Sequence, residues 1–245
     1  MIPQSPPSCQ VAPLQICLVG ASGRMGQRIE EVCKRPSENA VIAIRPSRDG
    51  CDEGAPQPFD VIIDFSSREG TKRAAALALT AKRALLVGTT GLDEAAHAVL
   101  ARISQEVAVL IAPNTSVGIA VMRALVADAA SLLGHDFAVT ITEVHHTKKL
   151  DKPSGTALAL AKALGNGGAK QFDPEAIQSI RQGDVVGDHD VVFSSHDEII
   201  TLRHHAKNRD LFAVGAIRLA RWIAMQPPGM YGLDDWFDEF RNTVN

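Results

Sequence analysis

The sequence lacks several features that whole classes of protein require. Lysine and arginine total 25 against 28 aspartate and glutamate, a net charge of -3, so the basic excess that usually serves phosphate-backbone binding is missing. Aromatic residues make up only 4% of the chain, which argues against base-stacking platforms and against an aromatic-rich all-β sandwich. We therefore expect no nucleic-acid partner.

Cysteine pairs, export signals and long apolar runs are also missing. None of the four cysteines, Cys9, Cys17, Cys33 and Cys51, lies in a C-x-x-C pair that would indicate a zinc site. Residues 1–13 contain neither a basic segment nor an apolar run typical of a signal peptide. No stretch approaches the roughly 18 uncharged apolar residues of a membrane helix. We expect a soluble, cytoplasmic protein without membrane contact.

The first half alternates short apolar runs with helical patterns. Strands are predicted at 15–19, 40–44, 61–65, 84–87 and 107–112, and helices from Met25 to Cys33 and over 71–81 and 94–103. Such alternation predicts a parallel sheet with helices on both faces.

After Pro113 the pattern changes to that of a mixed α and β region. A long helix is predicted over 117–133, a strand over 137–144, a helix over 157–164, a hairpin of strands 191–195 and 199–204, and a helix over 211–225. The residues expected on the buried side of the long helix are Val121, Met122, Leu125, Val126, Ala129 and Leu132. A hairpin here indicates a mixed or antiparallel second sheet.

A glycine-rich turn, GASGRMG at 20–26, connects the first strand to the first helix. Gly20 and Gly23 permit a tight turn and a close approach of a pyrophosphate to the helix amides, and Gly26 permits close packing of helix and strand. Arg24 adds a positive charge beside the phosphates. The turn predicts a dinucleotide site, although the spacing is G-x-x-G-x-x-G rather than G-x-G-x-x-G.

The second predicted strand ends at Arg45, with Arg48 nearby, where NAD-binding proteins usually have an acidic residue for the ribose hydroxyls. An arginine there suits a 2′-phosphate, so we expect NADPH rather than NADH. A solvated loop charge is the alternative interpretation of Arg45. GTTG at 88–91 and APNT at 112–115 follow later strands, at the edge where open α/β sheets bind ligands.

The segment EVHHTKKLDKPSGTA at 143–157 concentrates basic groups before a helix. Ser154 is placed to cap that helix, and the free amides near Gly155 and Thr156 then form a carboxylate pocket. Lys149 and His146 supply charge or donors for a second carboxylate. A histidine or lysine here can also deliver the proton that completes the reduction of a C=N or C=C bond.

Histidines cluster in the second half, which leaves a metal site as an alternative. His145 and His146 point to opposite faces of a strand, however, and no H-x-x-x-H spacing occurs, so we expect no metal. His204 and His205 end a predicted strand and are interpreted as structural or subunit contacts.

The sequence resembles the 4-hydroxy-tetrahydrodipicolinate reductase family, also called dihydrodipicolinate reductase, in order along nearly the whole chain. The motifs that carry the resemblance are GASGRMG, DFS at 64–66, GTTG, APNTSVG at 112–118, the 143–157 segment and the segment from Arg181 to His189. The resemblance implies NADPH- or NADH-dependent reduction of 4-hydroxy-tetrahydrodipicolinate to tetrahydrodipicolinate, on the route to lysine and diaminopimelate. It also implies a homotetramer built through the central sheet.

The resemblance further implies roles for individual residues. His145 would donate or accept a proton, Lys149 would donate one, and His146, Gly155 and Thr156 would bind the carboxylates of a small dicarboxylate substrate. The cofactor would contact Gly20, Ala21, Ser22, Gly23, Arg24, Met25, Gly88, Thr89, Thr90, Ala112, Pro113, Asn114 and Thr115, with Arg45 on the adenosine side.

The implied fold is α/β: a Rossmann-like dinucleotide-binding domain with an inserted α+β domain of mixed sheet for substrate binding and oligomerisation. We assign 1–116, completed by 210–245, to the first domain and 117–209 to the second.

The chain departs from the family at Arg45 and in a shortened region near 45–60. Two alternatives remain: another NADP-dependent dehydrogenase of an amino-acid pathway, which would need a different catalytic loop, and a non-catalytic NADP-sensing module, which would lack His145 or Lys149.

Overall fold

A computed structural model describes residues 12–46, 58–166 and 172–243. Most of the N-terminal leader, Cys9, Cys51 and Arg48 lie outside these ranges. The described chain divides into two compact units. Unit 1 falls within Met1–Pro113 and Ala216–Tyr231, and unit 2 within Asn114–Gly215 and Gly232–Asn245.

Unit 1 contains a parallel sheet of six strands, in the order β10-β5-β4-β3-β1-β2. The strands are β1 (Leu14–Val19), β2 (Ala40–Ile44), β3 (Val61–Asp64), β4 (Ala84–Val87), β5 (Ala108–Ile111) and β10 (Gly229–Tyr231). The helices between them are α1 (Arg24–Cys33), α2 (Arg68–Ala81) and α3 (Glu94–Ile103). This strand order is that of a doubly wound α/β sheet, and the sheet confirms the predicted parallel, Rossmann-like architecture.

Local sequence explains these elements. Strands β3 and β4 are buried along their whole length, as expected for apolar runs in a sheet that helices cover. Ser67 caps α2 by accepting a hydrogen bond from the Gly70 amide, and Asp93 caps α3 by accepting one from the Ala96 amide.

Unit 2 contains a mixed sheet of four strands, in the order β7-β6-β8-β9. Its elements are α4 (Val117–Leu133), β6 (Ala138–His145), α5 (Gly155–Asn166), β7 (Gln178–Arg181), β8 (Asp188–Ser194), β9 (Ile199–His205) and α7 (Leu233–Thr243), while α6 (Asp210–Ile223) contributes residues to both units. Strand β6 is parallel to β7 and antiparallel to β8, and β8 and β9 form the predicted hairpin.

Helix α4 differs from its prediction in which side is buried. Met122 and Val126 are in the core as expected, but Val121, Leu125 and Leu132 are exposed, Leu132 to 86%. The core side is completed instead by Ile119, Ala120 and Ala130. The helix is apolar on most of its circumference, so the sequence pattern did not distinguish the buried stripe from its neighbours.

The same helix bears on the expectation about membrane-length segments, and Arg123 and Asp128 within it leave no uncharged apolar stretch of that length. Within the described residues, Val117–Asp136 is long and apolar enough to span a membrane by length and composition, with a mean hydropathy of 1.7. Only 28% of that window is buried in the structure. Length and composition alone are weak indications, since core helices meet the same criterion, and Ile119, Met122 and Val126 lie in the core cluster of unit 2.

Strands β7 and β10 and helix α7 were not predicted from the sequence. Residues after Tyr231 lie in the second compact unit. There Asp234 of α7 pairs with Arg123 of α4 at 3.1 Å. This charge pairing between distant segments has no signature in the local sequence.

Candidate active site

The glycine-rich turn follows β1 as predicted, and its geometry requires glycine at two positions. Gly20 has φ +86, and a Cβ there would lie 2.3 Å from the Phe65 carbonyl oxygen. A Cβ on Gly26 would lie 2.3 Å from the Gly20 carbonyl oxygen. Any side chain at either position would therefore displace backbone.

Helix α1 begins after Gly23, whose amide donates to the Gly20 carbonyl at 3.0 Å. No side chain among the described residues caps this helix. The amides of its first turn are left to bind a ligand, and glycine at the cap keeps them accessible. This geometry fits a dinucleotide pyrophosphate. Arg24, the first helical residue, is exposed beside these amides.

A buried carboxylate organises the ends of β3 and β4. Asp64 accepts hydrogen bonds from the hydroxyls of Ser66, Thr71 and Thr89, the last two at 2.5 and 2.9 Å. Burial raises the pKa of Asp64, and these hydroxyls oppose the shift. The Thr89 hydroxyl also accepts from the Ser66 amide at 2.9 Å. Its side chain is therefore turned into the protein, which leaves its backbone for any ligand contact.

Gly88, at the same edge, makes room for an aromatic ring. A Cβ on Gly88 would lie 2.2 Å from the ring of Phe65. Thr90, two positions further, is exposed. The predicted cofactor residues of unit 1 thus include buried packing positions as well as accessible ones.

Arg45, at the end of β2, is engaged in an ion pair. Its Nε lies 2.5 Å from Oε1 of Glu30 on α1. The side chain of Arg45 remains 55% exposed. An acidic group is thus present beside Arg45, supplied by the helix rather than by the strand end.

In unit 2, Asn114 links two groups that the sequence analysis treated separately. Its Nδ2 donates to the Thr156 hydroxyl at 2.8 Å, and its Oδ1 accepts from the Ser116 amide at 2.9 Å. The neighbouring Thr115 is buried and donates its hydroxyl proton to the Phe212 carbonyl at 2.7 Å. Asn114 therefore joins a predicted cofactor segment to a predicted substrate residue.

Helix α5 begins at Gly155, two residues before its predicted start, and directly after the predicted cap. The Ser154 hydroxyl accepts from the Ala157 amide at 3.1 Å, which confirms the cap. Gly155 is exposed, and no heavy atom lies within 4 Å of where its Cβ would be. The accessible amide end of α5 is suited to bind a carboxylate.

His145 ends β6 and contacts Glu143 two residues earlier, on the same face of the sheet. Nδ1 of His145 is in contact with Oε2 of Glu143, and the two form an ion pair only when the imidazole is protonated. Burial lowers the pKa of His145, and the Glu143 carboxylate opposes that shift. Burial acts to raise the pKa of Glu143, but the nearby Ser179 hydroxyl, the Arg181 guanidinium and His145 outweigh it, and the pKa is lowered.

Lys149 and His146 lie in the loop between β6 and α5, residues 146–154. Nζ of Lys149 is 2.8 Å from Oδ2 of Asp151, and hydrogen bonding to Lys149 lowers the pKa of Asp151. Nδ1 of His146 is buried and has no hydrogen-bond partner within the described residues. Lys149, which has three donors and is partly exposed, therefore retains capacity to meet an anionic ligand, and such a role for His146 stays a prediction.

Two further histidines continue from His145 across the sheet. His189 is paired with Glu143 across β6 and β8, and His204 with His189 across β8 and β9. The ring centroids are 5.1 Å apart for His145 and His189 and 6.3 Å apart for His189 and His204. Burial lowers the pKa of His189 to about 3. His205 faces the other side and pairs with Asp188 at 2.6 Å.

Glu143, His145 and His189 together offer three metal-ligand atoms within 4.8 Å of one another, the one such group in the part of the chain that the structure describes. Oε1 of Glu143 already accepts a hydrogen bond from Arg181 at 3.0 Å, and this fixed positive charge opposes a metal cation. The absence of a functional metal stays a prediction.

Sequence reasoning missed Glu143, Arg181 and His189 as parts of this site. Alternation along β6 places Glu143 on the face of His145, and this signal was available. Arg181 and His189 lie on other strands, and only the register of the sheet brings them to the same face.

The parallel sheet with its glycine turn, together with the basic loop before α5, defines a Rossmann-type nicotinamide-dependent oxidoreductase. Residues 14–115 match the family described as dihydrodipicolinate reductase, N-terminus, and residues 118–237 match dihydrodipicolinate reductase, C-terminus. The chain belongs to the dihydrodipicolinate reductase family.

Curated relatives align with this chain over most of their length. The 4-hydroxy-tetrahydrodipicolinate reductases of Zymomonas mobilis and Halorhodospira halophila are each 37% identical to this chain. The alignments cover 91% of this chain and 96% and 98% of those proteins.

Solved structures share the fold. A dipicolinate-bound dihydrodipicolinate reductase from Paenisporosarcina sp. TG-14 has a TM-score of 0.74 at 21% identity, covering 91% of this chain and 99% of that one. A diaminopimelate (DAP) dehydrogenase from C. glutamicum has a TM-score of 0.52 at 12% identity, covering 92% and 94%. At these identities the likeness concerns the fold alone.

Proposed function

We propose that this protein reduces 4-hydroxy-tetrahydrodipicolinate to tetrahydrodipicolinate with a nicotinamide cofactor, in lysine and diaminopimelate biosynthesis. The observation that carries the proposal is the arrangement in unit 2. His145, Lys149 and the accessible N-terminus of α5 belong to one strand-loop-helix segment, and Asn114 holds the Thr156 hydroxyl at its start. Family membership supports the same reaction.

The substrate in this proposal is a small dicarboxylate. The amides of Gly155 and Thr156 with the Thr156 hydroxyl bind one carboxylate, and His146 with Lys149 neutralises the other. The cofactor supplies the hydride when bound. Lys149 donates a proton and His145 donates or accepts one, because both are held at the loop that binds the substrate. The 4-hydroxyl of the substrate leaves as water, so hydride, proton and water together balance the conversion.

The cofactor rests on the turn from Gly20 to Met25, with further contacts from Gly88, Thr89, Thr90 and from Ala112, Pro113, Asn114 and Thr115. The accessible amides of α1 and the two positions that exclude any Cβ support this placement. We propose NADPH as the preferred cofactor, because β2 ends in Arg45 rather than in an acid. NADH is the alternative that the Arg45–Glu30 pair favours.

We further propose a homotetramer formed through the outward face of the second sheet. Exposed Ile180 and Ile199 lie on that face, on strands β7 and β9. Residues 1–116 with 210–245 would serve the cofactor, and 117–209 would serve substrate and subunit contacts. Light scattering should give about four times the chain mass of 26.2 kDa. A cytoplasmic location is consistent with the free thiols Cys17 and Cys33.

The activity is tested with freshly made substrate. Pyruvate and aspartate semialdehyde are condensed by a separate synthase in the cuvette, and NADPH oxidation is followed by absorbance. We expect oxidation only when the synthase, both of its substrates and this protein are all present. A folded preparation that binds NADPH but does not oxidise it under these conditions would refute the proposal.

A further inference from the structure

The guanidinium of Arg181 connects the catalytic strand to the loop that carries Lys149. Nη1 donates to Oε1 of Glu143 at 3.0 Å, Nε donates to the Lys149 carbonyl at 3.2 Å, and Nη2 donates to the Asp151 carbonyl at 2.5 Å. The side chain of Arg181 is only 9% exposed. One planar group thus fixes two backbone positions of the 146–154 loop relative to β6.

The carboxylate of Glu143 is the other centre of this arrangement. It is fully buried, and an unpaired charge in such a place would be costly. Oε1 also accepts from the Ser154 amide at 3.3 Å, and Oε2 contacts Nδ1 of His145. The carboxylate therefore joins the end of β6, the strand β7 and the residue that caps α5.

The contact of Glu143 with Nδ1 determines the tautomer and the ring orientation of His145. A carboxylate at Nδ1 favours the tautomer with its proton on that nitrogen and leaves the lone pair on Nε2. A Cβ on Gly187 would lie 3.0 Å from Nε2. Glycine at that position keeps the Nε2 side of the ring free of a further side chain.

We propose that Glu143 and Arg181 are positioning residues for proton transfer in this site. Glu143 orients His145 through Nδ1, and Arg181 holds the backbone of Lys149 against the same carboxylate. The inference rests on the proposed function, because the roles of His145 and Lys149 belong to it. Lysine cannot replace Arg181, since a single ammonium lacks the planar set of donors that reaches a carboxylate and two carbonyls.

Steady-state kinetics of Arg181→Lys and Glu143→Gln test the positioning role. We expect kcat to fall about 100-fold, the typical effect of a displacement near 1 Å, while the KM values for substrate and NADPH change little. Arg123→Lys and Asp234→Asn, in an ion pair elsewhere in unit 2, are the matched controls and should keep the wild-type kcat. An unchanged kcat in both test variants, or a rise in KM alone, would overturn the proposal.

The pH profile separates positioning from a purely structural role. The groups around His145 are Glu143 and Lys149 on its own segment, Arg181 on β7 and His189 on β8. Because the carboxylate raises the pKa of His145 against burial, Glu143→Gln should move the His145 limb of the profile to lower pH. A Glu143→Gln variant whose activity is lower at every pH, but whose His145 limb stays at the wild-type pH, would contradict the proposal.

Nitrogen NMR of histidine-labelled protein tests the orientation without turnover, with His145→Asn for assignment. We expect wild-type His145 to carry its proton on Nδ1, and Glu143→Gln to lose that preference. Protonation on Nε2 in an active wild type would overturn the inference and leave the proposed function standing. An inactive wild type with the Nδ1 proton would refute the proposed function and retain the orientation. The wild-type measurement decides even where a variant does not fold.

Discussion

The side-chain amide of Asn114 donates a hydrogen bond to the hydroxyl of Thr156, at 2.8 Å. The other end of the amide accepts from the Ser116 amide at 2.9 Å, so its orientation is fixed. A hydroxyl that accepts from Asn114 must direct its own proton elsewhere. Thr156 is therefore held as a donor at the N-terminus of α5.

Thr156→Val keeps the shape of the side chain and removes this donor. We expect the Kd for pyridine-2,6-dicarboxylate to rise about tenfold, because a hydrogen bond to a charged group contributes about 1.5–3 kcal/mol. NADPH affinity should not change. Calorimetric titration measures both, with Thr80→Val on the exposed side of α2 as control. Equal dicarboxylate affinity in the variant and the wild type would remove Thr156 from the substrate site.

Arg45→Ala tests the contact to the 2′-phosphate. We expect kcat/KM for NADPH to fall more than kcat/KM for NADH, because only NADPH carries the phosphate that an arginine can bind. Parallel assays with the two cofactors give the ratio. If both values fall equally, Arg45 does not touch the 2′-phosphate.

Glu30→Gln tests the partner of that arginine. Since the Glu30 carboxylate competes with a phosphate for Arg45, its removal should raise the preference for NADPH, by up to about fivefold for an exposed pair worth roughly 0.2–1 kcal/mol. Glu31→Gln is the matched control, because Glu31 lies on the same helix and pairs with Lys34 instead. No change in the cofactor ratio for Glu30→Gln would exclude this competition.

Lys149→Ala should lower kcat by about 10²–10⁴, the usual contribution of one positioned proton donor. Lys148→Ala, at the exposed neighbouring position, should leave kcat near the wild-type value. Stopped-flow measurement of NADPH oxidation in a single turnover separates this step from product release. A wild-type rate in Lys149→Ala would assign the proton transfer to another group.

His189 should make stability depend on pH. Burial lowers its pKa from 6.5 to about 3, so the unfolded chain takes up this proton first as pH falls. The free energy of unfolding is then greatest above pH 6.5 and declines as pH falls toward 3. His189→Gln should reduce the loss between pH 6.5 and 4.5 by about 2–3 kcal/mol.

Urea unfolding at the two pH values measures the His189 contribution. His196→Gln, at an exposed position in the β8–β9 hairpin, should leave the pH dependence as in the wild type. If the free energy of unfolding declines as much in His189→Gln as in the wild type, His189 is not the source of the pH dependence.

Much of the fold could be predicted because its signals are local. The bounds of β4 and α3 match their predictions, since β4 is a short apolar run and Asp93 caps α3. Strand β7 has the largely polar sequence QSIR and β10 has only three residues, so neither forms an apolar run like that of β4. The exposure of Leu125 and Leu132 depends on tertiary packing, which periodicity alone does not contain.

In the candidate site, too, some contacts could be predicted from the local sequence and others could not. His145, His146, Lys149 and Thr156 lie within one short segment, so their proximity could be predicted from the chain itself. Arg181 is 38 residues from Glu143, and Thr156 is 42 residues from Asn114. Contacts at such separations follow from strand register and helix placement, and no local pattern predicts them.

In the proposed reaction, hydride passes from a nicotinamide to the freshly condensed dicarboxylate. The most direct test uses NADPH carrying deuterium at C4 of the nicotinamide, with each of the two stereoisomers in turn, and mass spectrometry of the product. We predict one deuterium per product molecule with one isomer and none with the other. A product formed with no cofactor-derived deuterium from either isomer would contradict the account.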